Sequence, residues 1–195
     1  MKKLDEEKAL FHYTEFMKAL GLDLEDANTK DTPHRVVKKF KEDIFAGLYK
    51  ESPGNITTFP CEGYEGLVFQ GDIEVHSVCS HHHLPILGKA YVAYIPDKKG
   101  KIIGLSKLNR VVDFFARRPQ VQENLTQQIH DYLKDILGKT KGIAVYIKGR
   151  HTCVSMRGIK QNSVMNTSVF SGAFLENKNK ARDEFFEYVK GCKGL

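Results

Sequence analysis

The segment Cys79-Ser80-His81-His82-His83 places a thiol and an imidazole three positions apart, a spacing that suits zinc, which binds cysteine sulfur and histidine nitrogen. Further along, His151-Thr152-Cys153 offers a second thiol beside another imidazole. If the fold brings the two segments together, Cys79, His82 and Cys153 supply three soft or borderline ligands. Three protein ligands leave a fourth position for water, the arrangement of a catalytic metal rather than a structural one, and bound zinc lowers the pKa of that water to about 7. The competing reading is that both cysteines are buried core thiols and the histidines a polar turn. His81 and His151 flank these ligand positions, and an imidazole with an ordinary pKa of about 6.5 can take and give a proton at neutral pH. Either also reads as an ordinary, partly exposed histidine; His83 and His76 read as structural.

A second group of residues suits an anion. In Ser106-Lys107-Leu108-Asn109-Arg110, two basic side chains three positions apart at a helix start share a face next to free backbone N–H groups, which makes a phosphate site. Arg157 could add a bidentate contact to the same anion. All three cations also read as solvated surface charges. Gln122 and Glu123 fall in the first turn of a helix, where a carboxylate is favoured by the helix dipole alone. The functional alternative is that Glu123 accepts from the two N–H donors on a guanine edge, a pairing adenine cannot match. Lys178, Lys180, Lys190 and Lys193 read as a solvated face.

These residues need elements to position them. A chain of 195 residues with 41% hydrophobic content can bury one sizeable core, with residues 1–50 as a helical region and 51–195 as one catalytic unit. The first residues run from Met1-Lys2-Lys3 into acidic positions with no apolar stretch behind them, so neither a signal peptide nor a membrane span is expected and the location reads as cytoplasmic. Four scattered cysteines do not make a disulfide framework. The net charge of +6 points to an anionic partner without choosing its kind.

Near the start, Ala9, Leu10, Tyr13, Phe16, Met17 and Leu20 recur at helical spacing, with Gly21 as the stop. Asp31-Thr32-Pro33 opens a second helix carrying Val36, Val37, Phe40 and Ile44, with Gly47 as its stop. Prolines and glycines break up residues 51–66. Residues 67–77 and 89–95 then read as an antiparallel pair of strands with Pro85 to Gly88 as the turn. Ser106 is placed as the cap of a helix that Arg118-Pro119 interrupts and restarts, and Gly138 closes the second piece. Residues 142–148 and 164–170 read as further strands, and 182–190 as a terminal helix. This order predicts an α+β fold, a four-stranded antiparallel sheet with helices on one face. Two open sheet edges invite pairing, so a closed ring of identical chains is expected.

Cys79-Ser80-His81-His82, Gly88-Lys89-Ala90, Tyr94-Ile95-Pro96, the run from Gly104 to Arg110, the run from Arg118 to Glu123, and His151-Thr152-Cys153 resemble the GTP cyclohydrolase I family in order and spacing. The likeness extends over Thr32-Pro33-His34-Arg35 and Thr167-Ser168 and covers the chain from about residue 31 to the terminal helix. It implies a tunnelling fold (T-fold), in which subunit sheets join into a barrel and two five-membered rings stack as a homodecamer with active sites between neighbouring subunits. It further implies that Cys79, His82 and Cys153 hold one Zn2+, that His81, His151 and Ser106 move protons, and that Gln122 and Glu123 hold the guanine of GTP. Ser106, Lys107, Arg110 and Arg157 would contact ribose and triphosphate, with Arg35 and Lys38 from a neighbour. The reaction implied is hydrolysis at C8 of GTP, with His81 protonating N7, release of formate and rearrangement to 7,8-dihydroneopterin triphosphate, the first step of tetrahydrofolate and pterin synthesis.

One position departs from the family pattern: Ser80 stands where an acidic residue is frequent, and His83 extends the histidine run. The three ligand positions survive, and His83 becomes a possible substitute ligand. Two other readings compete. A nitrile reductase of the same fold would use one cysteine nucleophile and a nicotinamide, which the paired cysteines and adjacent His81-His82 argue against. A zinc-stabilised nucleic-acid module would need a fourth ligand and a basic stripe with stacking aromatics, and the sequence offers neither. Neither nucleic acid nor membrane is therefore expected as a partner.

Overall fold

The computed structural model describes residues 3–192, so Lys193 lies outside the described residues. The chain divides into two compact units, one ending at Ser52 and one beginning at Pro53. In the first, α1 (Glu6–Ala19) starts where the Asp5 carboxylate accepts from the Lys8 N–H at 3.0 Å, an ordinary N-cap. Only Met17 of its apolar residues is fully buried, while Phe16 and Leu20 are exposed. α2 (Thr32–Lys39) carries Pro33 in its first turn as expected. It then passes into a π-helical turn, Phe40–Ile44, and the short α3 (Ala46–Tyr49). Gly47 therefore lies inside a helical turn rather than ending one.

The second unit runs β1 (Thr58–Pro60), β2 (Val68–Cys79), β3 (Pro85–Pro96), β4 (Lys101–Ile103), α4 (Leu105–Ala116), β5 (Pro119–Gln120), α5 (Gln122–Leu137), β6 (Thr140–His151), α6 (Thr152–Ser155), β7 (Val164–Gly172) and α7 (Ala181–Gly191). The main sheet has the order β5-β2-β3-β6-β7. Its four long strands are antiparallel, and the two residues of β5 run parallel to the end of β2. The four-stranded expectation is thus widened to five, with β1 and β4 as a separate small pair. The chain breaks at Arg118-Pro119 as expected, but the residues after the break extend along β2 before α5 begins.

Pro85 to Gly88 is strand, not turn. Pro85 opens β3 opposite Val78, where a proline's missing N–H is tolerated at a strand's first residue. Gly88 lies opposite Gly149, and a Cβ there would sit 2.2 Å from the Lys148 carbonyl oxygen. The real turn is residues 80–84, closed by the Cys79 N–H donating to the Leu84 carbonyl and the His83 N–H to the Cys79 carbonyl, both 2.9 Å. Gly104, not Ser106, is the N-cap of α4.

Helices cover both faces of the sheet, which corrects the one-face expectation. On one face Leu108, Val111 and Val112 of α4 and Leu125, Ile129 and Leu133 of α5 pack on Val75, Val92, Val145 and Ile147. On the other, Phe185 of α7 and Phe174 close over Tyr91, Ala93 and Ala144. Strand side chains alternate between faces, so Val92 and Ala93 belong to different cores. Ile129 is fully buried at the centre of the larger one. Ile129→Ala is expected to lower unfolding stability by about 3 kcal/mol, read from urea denaturation at one fixed protein concentration.

Candidate metal centre and active site

Sheet register assembles the site. β3 lies between β2 and β6, so its start at Ile86 faces Ser77 on one side and His151 on the other. The ends of β2 and β6 are thereby brought to the same end of the sheet. Cys79 is the last residue of β2, His81 and His82 sit in the tight turn that follows, and Cys153 sits in α6 directly after β6. The Thr152 hydroxyl donates to the Pro85 carbonyl at 2.7 Å, tying α6 to the start of β3. The Ser80 N–H donates to the Gln120 carbonyl at 3.1 Å, tying the turn to β5.

In this frame one ligand atom from each of Cys79, His82 and Cys153 lies within 4.8 Å of the others. Among the described residues this is the one group of three with that geometry, and His83 is not part of it. Burial and the neighbouring Cys79 sulfur both push the Cys153 thiol pKa up. A Cys153 thiol that resists ionisation beside another sulfur becomes a good ligand only when a cation lies close by, so the donor set fits a thiophilic metal. His81 stands beside the cluster, its Nδ1 3.6 Å from Cys79 Sγ. Arg157 reaches the same place, its Nη1 donating to His82 Nε2 at 2.7 Å.

His151 is half-buried, and burial lowers its pKa while the Glu123 carboxylate opposes the shift. Its Nε2 lies 3.0 Å from Gln122 Oε1. Gln122 has no exposed surface; its Nε2 donates to the Ile147 and Met165 carbonyls, both at 3.1 Å, and to Thr167 Oγ1 at 3.0 Å. The family resemblance groups Gln122 with Glu123 as guanine contacts, and the two side chains have different surroundings. The Gln122 amide is engaged on every side, whereas Glu123 is exposed and its carboxylate carries no hydrogen bond or ion pair among the described residues. Thr126, Thr167 and Gly149, which complete the Gln122 pocket, were not singled out from the sequence as a pocket. The signal that could have found it is the spacing of Gln122 from Leu125 and Ile129, which puts a polar residue on the apolar face of α5.

Ser106, Lys107 and Arg110 lie elsewhere. The start of α4 is fixed against the beginning of β2 by Gln70 Nε2 donating to Asn109 Oδ1 at 2.7 Å, while the chain after α4 pairs with Val78 and Cys79 at the other end. A helix of 12 residues spans about 18 Å, so one chain holds Lys107 and the metal cluster at opposite ends of β2. A cavity of about 520 Å³ at the α4 start is lined by Ser106 and Lys107 together with Thr57, Phe59, Gln70 and Asn109. Arg35 and Lys38 are exposed on α2 in the first unit, paired with Asp31 at 3.3 Å and Glu42 at 4.0 Å.

An α+β chain whose strand ends gather two thiols and an imidazole, with further imidazoles alongside, has the equipment of a metal-assisted enzyme. The profile of the family described as GTP cyclohydrolase I matches residues 10–190. The chain is 44% identical over 195 residues to GTP cyclohydrolase 1 of Salmonella choleraesuis, covering 97% of this chain and 86% of that one. It is 42% identical over 186 residues to that of Aeromonas salmonicida, covering 95% and 84%. Against that of Corynebacterium glutamicum it is 41% identical over 192 residues, covering 98% and 96%. The chain belongs to the GTP cyclohydrolase I family. No helix among the described residues is long and apolar enough to cross a membrane.

Proposed function

We infer that this protein is a GTP cyclohydrolase that hydrolyses GTP at C8, releases that carbon as formate and closes the pterin ring of 7,8-dihydroneopterin triphosphate, at the entry to folate and pterin synthesis in the cytoplasm. The observation that carries the reading is the Cys79, His82 and Cys153 cluster with His81 and His151 beside it, in a chain of this family. Cys79, His82 and Cys153 would hold one Zn2+, which when bound supplies a water activated near neutral pH. The chain's own groups do the rest. In this reading His81, in the tight turn beside the cluster, protonates N7 of the purine, and His151, whose pKa burial lowers, accepts a proton in a later step. The free Glu123 carboxylate suits the N–H edge of guanine. Arg157, already at the cluster, suits the negative triphosphate or ribose side.

Ser106, Lys107 and Arg110 serve a neighbouring chain's site in this reading, because their end of β2 is far from their own cluster. Arg35 and Lys38 would likewise act on a neighbour's substrate. β7 pairs with β6 on one side only, and this edge supports joining of subunit sheets into the T-fold barrel and, with five chains per ring, a decamer. The second unit, with the site residues other than Arg35 and Lys38, is then the catalytic domain.

The test is to incubate zinc-loaded protein with GTP and follow formate together with the fluorescence of the oxidised pterin. Both products are expected, in equal amounts. Intact, metal-loaded and assembled protein that made neither would refute the assignment.

A further inference from the structure

The hydrogen bonds around Gln122 fix which end of its amide is nitrogen and which is oxygen. Gln122 Nε2 faces two backbone carbonyls, of Ile147 and Met165, and carbonyls only accept. The nitrogen end of the amide is thus fixed, since the reversed amide would set an oxygen against both. The third partner, Thr167 Oγ1 at 3.0 Å, shares one of the two amide hydrogens with a carbonyl. Thr126 Oγ1 donates its one proton to the backbone carbonyl of Gln122, one turn earlier, at 2.8 Å. In the 2.6 Å contact between the two threonines, Thr167 must therefore be the donor. Each hydroxyl proton is assigned, and the amide cannot turn without breaking the set.

The consequence falls on His151. With the amide nitrogen committed to the sheet, the atom that faces His151 Nε2 at 3.0 Å is an oxygen, and an amide oxygen only accepts. His151 Nε2 must carry the hydrogen, which leaves Nδ1 of the neutral ring with its lone pair free. The sheet is shaped for this: a Cβ on Gly149 would meet Gln122 Oε1 at 2.3 Å. A glycine opposite Gly88 is what lets the amide lie flat beneath the histidine.

We propose that Gln122 is a positioning residue, braced by Thr167 and Thr126, that holds His151 as its Nε2–H tautomer and so makes Nδ1 the atom that accepts the proton. Gln122 does not touch the substrate. The inference rests on the function proposed above only in taking His151 as a proton carrier; the tautomer is read without substrate or turnover, so failure of one is distinguishable from failure of the other.

The experiment uses metal-loaded protein with 15N-labelled histidine, sedimented for solid-state NMR, with His151 assigned by the signal lost in His151→Asn. A protonated Nε2 and an unprotonated Nδ1 are expected in the wild type, and a mixture of tautomers in Gln122→Leu. In steady-state assays Gln122→Leu is expected to lower kcat by about 100-fold with KM for GTP unchanged. Thr167→Val, which keeps both carbonyl contacts, should give a smaller fall in kcat, and Thr167→Ser should restore it. A wild-type ring protonated on Nδ1 overturns the proposal. So does a Gln122→Leu enzyme with normal kcat and raised KM, which would mean that the amide binds substrate. If Gln122→Leu does not fold, the wild-type spectrum and the Val and Ser pair at position 167 decide the matter alone.

Discussion

Cys153→Ser is expected to abolish both metal binding and GTP turnover while leaving the fold in place. Groups that merely support a metal ligand change affinity or activity by about 10- to 100-fold when removed, so loss of a ligand should exceed about 100-fold. Serine offers a hard oxygen that stays protonated at neutral pH where zinc prefers thiolate sulfur. The fold should survive, because Cys153 sits in a short turn outside both hydrophobic cores and α6 keeps its tie to Pro85 through Thr152. Metal content is read by a chromophoric chelator titration, activity by formate release, and folding by the thermal transition. A chelator applied to the wild type should reproduce the activity loss, and added zinc should reverse it in the wild type only. A variant that bound metal stoichiometrically and turned over GTP would place the centre elsewhere.

Two of the three residues of this cluster were legible directly from the sequence, because Cys79 and His82 lie at one strand end and its tight turn and local spacing suffices to relate them. Cys153 could be added only conditionally: what brings it within reach is the register of β3 against both β2 and β6, and pairing between distant strands leaves no local mark. The misread turn at Pro85 to Gly88 has a similar cause. Proline and glycine ordinarily punctuate turns, but here the proline opens a strand and the glycine lets β3 and β6 approach, a need visible only once Gly149 lies opposite. The second core was more accessible than the reading made it. Ala90 to Ile95 is apolar without alternation, the pattern of a strand covered on both faces, and α7 supplies the second cover.

The same strand geometry that assembles the metal cluster divides the proposed site between chains, and this leads to the second large effect. Lys107→Ala/Arg110→Ala removes two cations from the α4 start, and a charge-assisted hydrogen bond is worth about 1.5–3 kcal/mol, so kcat/KM for GTP should fall by about 100-fold or more. Cys153→Ala should be inactive for the reason given above. Each homogeneous variant then carries a defect in every site. In oligomers formed by co-expressing the two variants at equal levels, a site that takes its metal end from one chain and its cationic end from a neighbour has both ends intact about one time in four. Activity should therefore return to about a quarter of the wild-type level, from two proteins that have almost none apart. If one chain supplied both ends, every site in the mixture would still hold one defect and no recovery would follow. That outcome would require the α4 start and Cys79 of one chain to serve the same substrate along the length of α4, about 18 Å. Recovery is therefore the expected result if neighbouring chains supply these two groups of residues to one GTP.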